Sequence, residues 1–256
     1  MEPARQNSGT GAVIAGFAAL YLLVCLCLGT SGYALYAASR QPFPNTRGYF
    51  PTLTAMPDAT PVVHKPAADD KVIQDDFSDN KHAWISRWSD GTLAIKNGRL
   101  SLSTSAADSI EMAQCNVCPF LGNKYYIEAD LSTSQSVDSY YGIAFNINNS
   151  YHDFYVFEIN TQIGRFDLYK TIRSPVSGDD IWMKRLSKNS SLIKPYPQVN
   201  KLGVYFDRDS MQLYINENQV ESYQDIGTDL SSGAYAFYIE DPGFALMVDN
   251  FFAYGK

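Results

Sequence analysis

The chain has 256 residues, 27 acidic and 20 basic, for a formal net charge of −7. That balance excludes a nucleic-acid binder and a basic membrane-surface patch, because both rely on Lys and Arg to neutralise phosphate. Its 18 Tyr and 14 Phe, without long Ala/Leu/Glu/Lys stretches, favour strands over helices.

Taken in chain order, residues 1–10 form a short tail. From Gln6 to Ser39 there is no Asp, Glu, Lys or Arg, and Ala12 to Leu28 is almost continuously apolar, about the length a bilayer core requires. Residues 11–38 are therefore expected to be a transmembrane helix acting as an uncleaved signal anchor, with Tyr33 and Tyr36 at the headgroup level. A cleaved signal peptide is the alternative, but Arg5 is the lone basic residue before the run and Glu2 offsets it. Charge leaves the orientation open, since Arg5 and the amino terminus face Arg40 and Arg47. Cys115, Cys118 and the Asn-x-Ser sequons at Asn148 and Asn189 favour an outward-facing C-terminal part of a single-pass cell-membrane protein. Residues 39–70 carry Pro42, Pro44, Pro51, Pro57, Pro61 and Pro66 without periodicity, the pattern of an extended stalk.

From residue 71 to 256, short apolar runs alternate with turn signals, as in a sandwich or barrel. Strands are expected at Val72 to Phe77, Thr92 to Lys96, Arg99 to Ser103, Ser109 to Gln114, Lys124 to Leu131, Tyr140 to Asn148, Asp153 to Ile159, Arg165 to Thr171, Lys201 to Asp207, Ser210 to Ile215, Gln219 to Ser222, Gly233 to Ile239 and Ala245 to Tyr254. Asn97-Gly98 marks a tight hairpin, because both residues tolerate positive φ, and Asp207 to Asp209 and Asn216 to Asn218 mark further returns. Alternation assigns Tyr141, Ile143, Phe145 and Ile147 to one face, and Tyr155, Phe157 and Ile159 repeat it. The opposite faces carry Glu158, Arg165, Asp167, Tyr169, Tyr205, Gln212 and Tyr214, a mixture expected to be exposed unless something docks on it. Thr171 to Gln198, with Pro175, Pro195, Pro197 and Trp182, reads as a long loop that either forms one rim of a binding site or covers a sheet edge.

These segments resemble the concanavalin A-like lectin/glucanase sandwich in its laminin-G-like version, common in bacterial surface proteins. The resemblance rests on Asp75-Asp76-Phe77-Ser78 with Trp84, Asn97-Gly98-Arg99-Leu100, Tyr141 to Phe145, Tyr155 to Ile159, Lys201 to Val204, Leu213 to Asn216 and Val248 to Phe251. It implies an all-β, two-sheet antiparallel jelly roll whose first and last strands lie together and whose concave sheet is open to ligand. It also implies that Asp76 and Asp249 hold a structural calcium; the plainer reading gives both carboxylates backbone hydrogen bonds at strand ends. No other cofactor is expected.

Related glucanases carry Glu-x-Asp-x-x-Glu on one strand. Here Glu128-Ala129-Asp130 is followed by Thr133, so the third carboxylate is missing. Glu158 and Asp167 would pair if their strands are neighbours, although a cross-strand ion pair of Glu158 with Arg165 is the expected arrangement. His64, His82 and His152 show no catalytic spacing, and no zinc motif pairs them with cysteines. Cys115 and Cys118 have redox-motif spacing outside a βαβ context, so a local disulfide is expected.

Sugars present C–H faces to aromatic rings and hydroxyls to amides and carboxylates. Tyr140, Asn146, Tyr151, Glu158, Arg165, Tyr169, Trp182, Tyr205, Gln212 and Tyr214 supply that mixture as candidate ligand contacts. The resulting expectation is a membrane-tethered extracellular module that binds glycan or another surface polymer without catalysis. The alternatives are a carbohydrate-active hydrolase with a non-standard carboxylate pair, and a structural or sensory ectodomain that binds a protein partner in the membrane.

Overall fold

The computed structural model describes residues 66–67, 69–87, 91–105, 110–148, 152–225 and 233–255. The expected tail, the transmembrane helix and nearly all of the stalk lie outside the described residues. Among the described residues, no helix is long and apolar enough to cross a membrane.

The strands are β1 (Lys71–Asp75), β2 (Trp84–Ser86), β3 (Gly91–Ile95), β4 (Leu100–Thr104), β5 (Ile110–Cys115), β6 (Lys124–Thr133), β7 (Tyr141–Ile147), β8 (Phe154–Asn160), β9 (Arg165–Arg173), β10 (Asp180–Asn189), β11 (Asn200–Asp207), β12 (Ser210–Ile215), β13 (Asn218–Gln224), β14 (Ala234–Glu240) and β15 (Ala245–Gly255). One sheet runs β13-β12-β11-β6-β15-β4-β3, with β1 also on β15; the other runs β10-β9-β8-β7-β14-β5-β2. The strand pairs within both sheets are antiparallel. The first and last strands join, Lys71 opposite Gly255 and Asp75 opposite Phe251, as the jelly-roll resemblance implies.

Alternating apolar residues from both sheets meet between them. Leu100, Ile127, Leu131, Val204, Leu213 and Val248 of the first sheet pack with Ile143, Phe157, Leu168 and Phe237 of the second. Trp84 anchors one end, stacked on Phe237 at 5.0 Å and edge-on to Phe251 at 5.5 Å. Its Nε1–H donates to buried Asp75 at 2.8 Å, and the same carboxylate accepts the Phe77 amide at 2.9 Å. A carboxyl group is thus tolerated in the core because hydrogen bonds satisfy its oxygens.

The turns follow the residue types. Asn97 and Gly98 both take positive φ between β3 and β4, and Lys96 and Arg99 exchange backbone hydrogen bonds across them. Asn216 and Glu217 also take positive φ between β12 and β13.

Two elements depart from the sequence reading. The expected loop from Thr171 to Gln198 contains β10, an edge strand paired to β9 whose register is broken between Lys184 and Leu186 and whose residues are exposed or half-buried throughout. The three-residue β2 is too short to show periodicity. A third difference lies within β7: Asn146, at φ 55, is an extra residue opposite β14. This bulge turns Ile147 away from the inter-sheet core and onto the outer face beside Ala144.

Candidate functional site

The second sheet presents a second, mixed surface on the side away from the core. Its apolar part is Met112, Ala144, Ile147, Phe154, Val156, Ala236 and Tyr238, with Tyr169 and Trp182 against them. Trp182 on β10 lies 5.7 Å from Phe154 on β8, 6.1 Å from Tyr169 on β9 and 6.1 Å from Tyr238 on β14, measured between ring centroids. Strands β10 and β14 are four spacings apart, about 19 Å on a flat sheet. The rings therefore meet only because the sheet curls towards this face, which makes it the concave one.

The polar part lies one row further along the strands. Glu158 of β8 sits directly between Gly142 of β7 and Asp167 of β9. Gly142 is required there, because a Cβ would stand 2.0 Å from the Phe157 carbonyl oxygen. Asp167 is bracketed by cations: Arg165 Nε donates at 3.0 Å, Lys184 Nζ donates at 2.7 Å, and Ser187 Oγ donates as well. Lys184 also lies 4.9 Å from the centre of the Tyr169 ring. Burial works against the Lys184 charge, but the hydrogen bonds to Asp167 and Tyr169 outweigh it and raise its pKa.

Arg165 thus pairs with Asp167, not with Glu158 as the sequence led us to expect. The side chain of Arg165 leans along its own strand to the residue two positions on, where Ser187 also meets it at 2.6 Å. Glu158, only 1% exposed, has its Oε2 buried without a hydrogen-bond partner. Burial, followed by the nearby Glu240 and Asp167, pushes its carboxyl well above the ordinary value of 4.5. Glu240 is itself raised by burial, although the Tyr238 hydroxyl donates to it at 2.7 Å. Burial of Glu158, Asp167 and Tyr214 differs from the exposure expected for these faces.

The structure divides the candidate contacts. Tyr140, Glu158, Arg165, Tyr169 and Trp182 gather on the concave face, where Tyr140 feels the charges of Asp167, Arg165 and Lys184. Asn146 is at the β7 bulge, fully buried, with both side-chain polar atoms unpartnered. Tyr151 lies outside the described residues. Tyr205, Gln212 and Tyr214 are on the outer face of the other sheet, with Tyr126, Tyr254 and Phe252. One small ligand therefore cannot touch both groups. Glu128 and Asp130 share that second outer face, both held by Lys201.

Lys184, Ser187, Tyr238 and Glu240 were not among the sequence candidates. The first two sit on the unrecognised β10; the last two lie on β14, where alternation alone would have placed them beside Glu158 had the strand order been known.

Elsewhere, Cys115 and Cys118 form the expected disulfide. A ring nitrogen of His82 and the two sulfurs lie within 4.8 Å of one another, a grouping absent from the sequence motifs because His82 is distant along the chain. Asp76 accepts the Ser78 amide at 3.1 Å, and Asp249 accepts the Asn250 amide and faces Arg99 at 3.5 Å.

The domain has the concanavalin A-like jelly-roll fold. Solved structures of that shape include a carbohydrate-binding module, CBM66, from Bacillus subtilis (12% identity, TM-score 0.52, covering 67% of this chain and 95% of that one). A Bacillus subtilis protein of unknown function with a galectin-like fold matches at 13% identity and TM-score 0.56, over 71% and 94%. The kappa-carrageenase of Pseudoalteromonas carrageenovora, solved with an oligotetrasaccharide of kappa-carrageenan, matches at 12% and 0.52, over 77% and 98%. At these identities the likeness is one of fold. No protein-family model matches the chain, and no curated protein matches it in sequence.

Proposed function

We propose that the domain is a glycan-binding module whose site is the concave face of the second sheet, held outside a membrane by the uncharged N-terminal run and the proline-rich stretch. The observation that carries this is the one sheet face on which half-exposed Tyr169 and Trp182 share β9 and β10 with Arg165 and Lys184, next to the buried Glu158 and Asp167. Aromatic rings stack on the C–H face of a pyranose, and the paired charges beside them suit its hydroxyls. The carbohydrate-binding and carrageenan-bound neighbours support the same use of the fold. Binding of the full chain to a glycan array and to isolated envelope polymer is expected in the micromolar-to-millimolar range. Tyr169→Ala combined with Arg165→Ala abolishes it; no enrichment over a heat-denatured control rejects the reading.

A second reading is hydrolysis. It is supported by the position of Glu158, whose carboxyl pKa burial raises, directly opposite the cation-bound Asp167, since glycoside cleavage uses a pair of carboxyl groups. Reducing-sugar release from polysaccharides that disappears in Glu158→Gln would favour it over simple binding. Retention of a defined membrane protein on cross-linking, without glycan binding, would favour a protein-docking ectodomain instead.

A further inference from the structure

We propose that Cys115, Cys118 and His82 form a redox-gated zinc site, metal-binding when the cysteines are reduced and closed when they are joined. This site lies at the β2/β5 edge and does not depend on the concave face. Three donors of the type zinc takes, two sulfurs and an imidazole nitrogen, already stand within 4.8 Å of each other.

The surroundings are arranged for ligation. His82 Nε2 lies 3.2 Å from the carbonyl oxygen of Gln74, which can only accept, so Nε2 carries the proton and Nδ1 offers its lone pair. Buried Asp75 lies 4.0 Å from the same Nε2. A carbonyl and a carboxylate behind the ring hold the imidazole in one orientation, the usual support of a zinc histidine. On the sulfur side, the Cys118 amide donates to Cys115 Sγ at 3.0 Å, which fixes the position of that donor atom. A cavity of about 130 Å³, lined by Gln114, Cys115, Cys118 and Tyr235, opens beside the sulfurs and leaves room for water as the fourth ligand.

The oxidised state is easily given up, because a disulfide closing so short a loop gains little from chain entropy. A dithiol reductant attacks one sulfur, the Cys115–Cys118 bond breaks, and the reductant's two sulfurs become joined while two thiols form here. Cys115 Sγ lies 3.1 Å from the His82 carbonyl oxygen, within reach of a thiol S–H once the disulfide opens. Zn(II) then displaces both thiol protons to solvent.

The test uses the full chain, reduced, freed of reductant under argon and titrated with Co(II) and then Zn(II). A sulfur-to-Co(II) charge-transfer band is expected, saturating at one ion per chain and removed by Zn(II), which also raises the melting temperature. The oxidised chain shows neither effect. His82→Gln preserves a side-chain N–H for the Gln74 carbonyl but removes the ligand, and should weaken binding by about tenfold or more. Absence of the band in the reduced chain overturns the proposal, as does unchanged affinity in His82→Gln or in the urea-unfolded chain. Near-UV circular dichroism confirms that each variant is folded.

Discussion

Trp182 and Tyr238 touch at 6.1 Å although three strands separate theirs in the sheet. The contact closes the apolar end of the concave face, and Phe154 and Tyr169 complete the cluster around the indole. Each aromatic pair is worth about 0.5–1.5 kcal/mol beyond burial, with the contributions overlapping in one cluster. Trp182→Ala is expected to lower stability by about 2–3 kcal/mol, seen as a lower urea midpoint with unchanged slope. Trp182→Phe should recover part of the loss. An unchanged midpoint in Trp182→Ala would mean that the rings adjoin without holding the curl.

Glu158 should make stability fall as pH rises. The unfolded chain releases this proton near the ordinary value of 4.5, whereas the folded chain retains it because burial, Glu240 and Asp167 disfavour the anion. The protonated carboxyl therefore contributes fully below about pH 4.5, and that contribution is lost as pH climbs towards the raised folded value. Glu158→Gln imitates the protonated form. The difference in melting temperature between variant and parent should be near zero at pH 4 and grow in the variant's favour by pH 8. A difference independent of pH would show that Glu158 is ionised in the fold.

Most of the sandwich was legible because a strand with one buried face must alternate, and Ile127-Glu128-Ala129-Asp130-Leu131 does so plainly. The Asn97-Gly98 hairpin was legible for a local reason, the left-handed φ at both positions. β10 was hidden because an edge strand need not alternate, and its Lys184, Arg185 and Lys188 serve as lids and ion-pair partners rather than core. The site was half legible: residue types on β8 and β9 marked it, but the division of tyrosines between opposite faces depends on strand order. Periodicity along a single strand carries no record of which strands are neighbours.

A second charged group, at the end of the core, should give the opposite pH dependence. Lys170, almost fully buried, donates to Asp225 at 2.9 Å, and the Tyr155 hydroxyl donates to the same oxygen at 2.5 Å. Burial alone would raise the Asp225 pKa, but these hydrogen bonds and the Lys170 charge outweigh it and hold the carboxyl below 3.8. Its stabilisation is thus present above the unfolded value and disappears as pH falls through the lowered folded one. Asp225→Ala leaves the Lys170 ammonium buried and uncompensated and should destabilise by about 3–5 kcal/mol at pH 7. Lys170→Met in the same chain should restore part of that loss, since it removes the stranded charge. A double variant less stable than Asp225→Ala by the full cost of Lys170→Met alone would show that the two groups are not coupled.

Gly142 and Gly243 should respond differently to the same added methyl group. A Cβ at Gly142 would lie 2.0 Å from the Phe157 oxygen and 2.7 Å from the Glu158 Cα, both backbone atoms of the paired strand. Neither can rotate away, so β7 and β8 must separate exactly where Glu158 is held. A loss of about 3 kcal/mol or more is expected for Gly142→Ala, at the upper end of overpacking costs. Gly243 has φ 96 and nothing within 4 Å of its added Cβ, so Gly243→Ala meets only the conformational penalty, about 1 kcal/mol. Because the Gly142 penalty arises at the pairing of β7 with β8, hydrogen exchange should quicken there and not at the Gly243 turn. Equal urea midpoints for the two variants would show that β7 and β8 yield to the added methyl group at little cost.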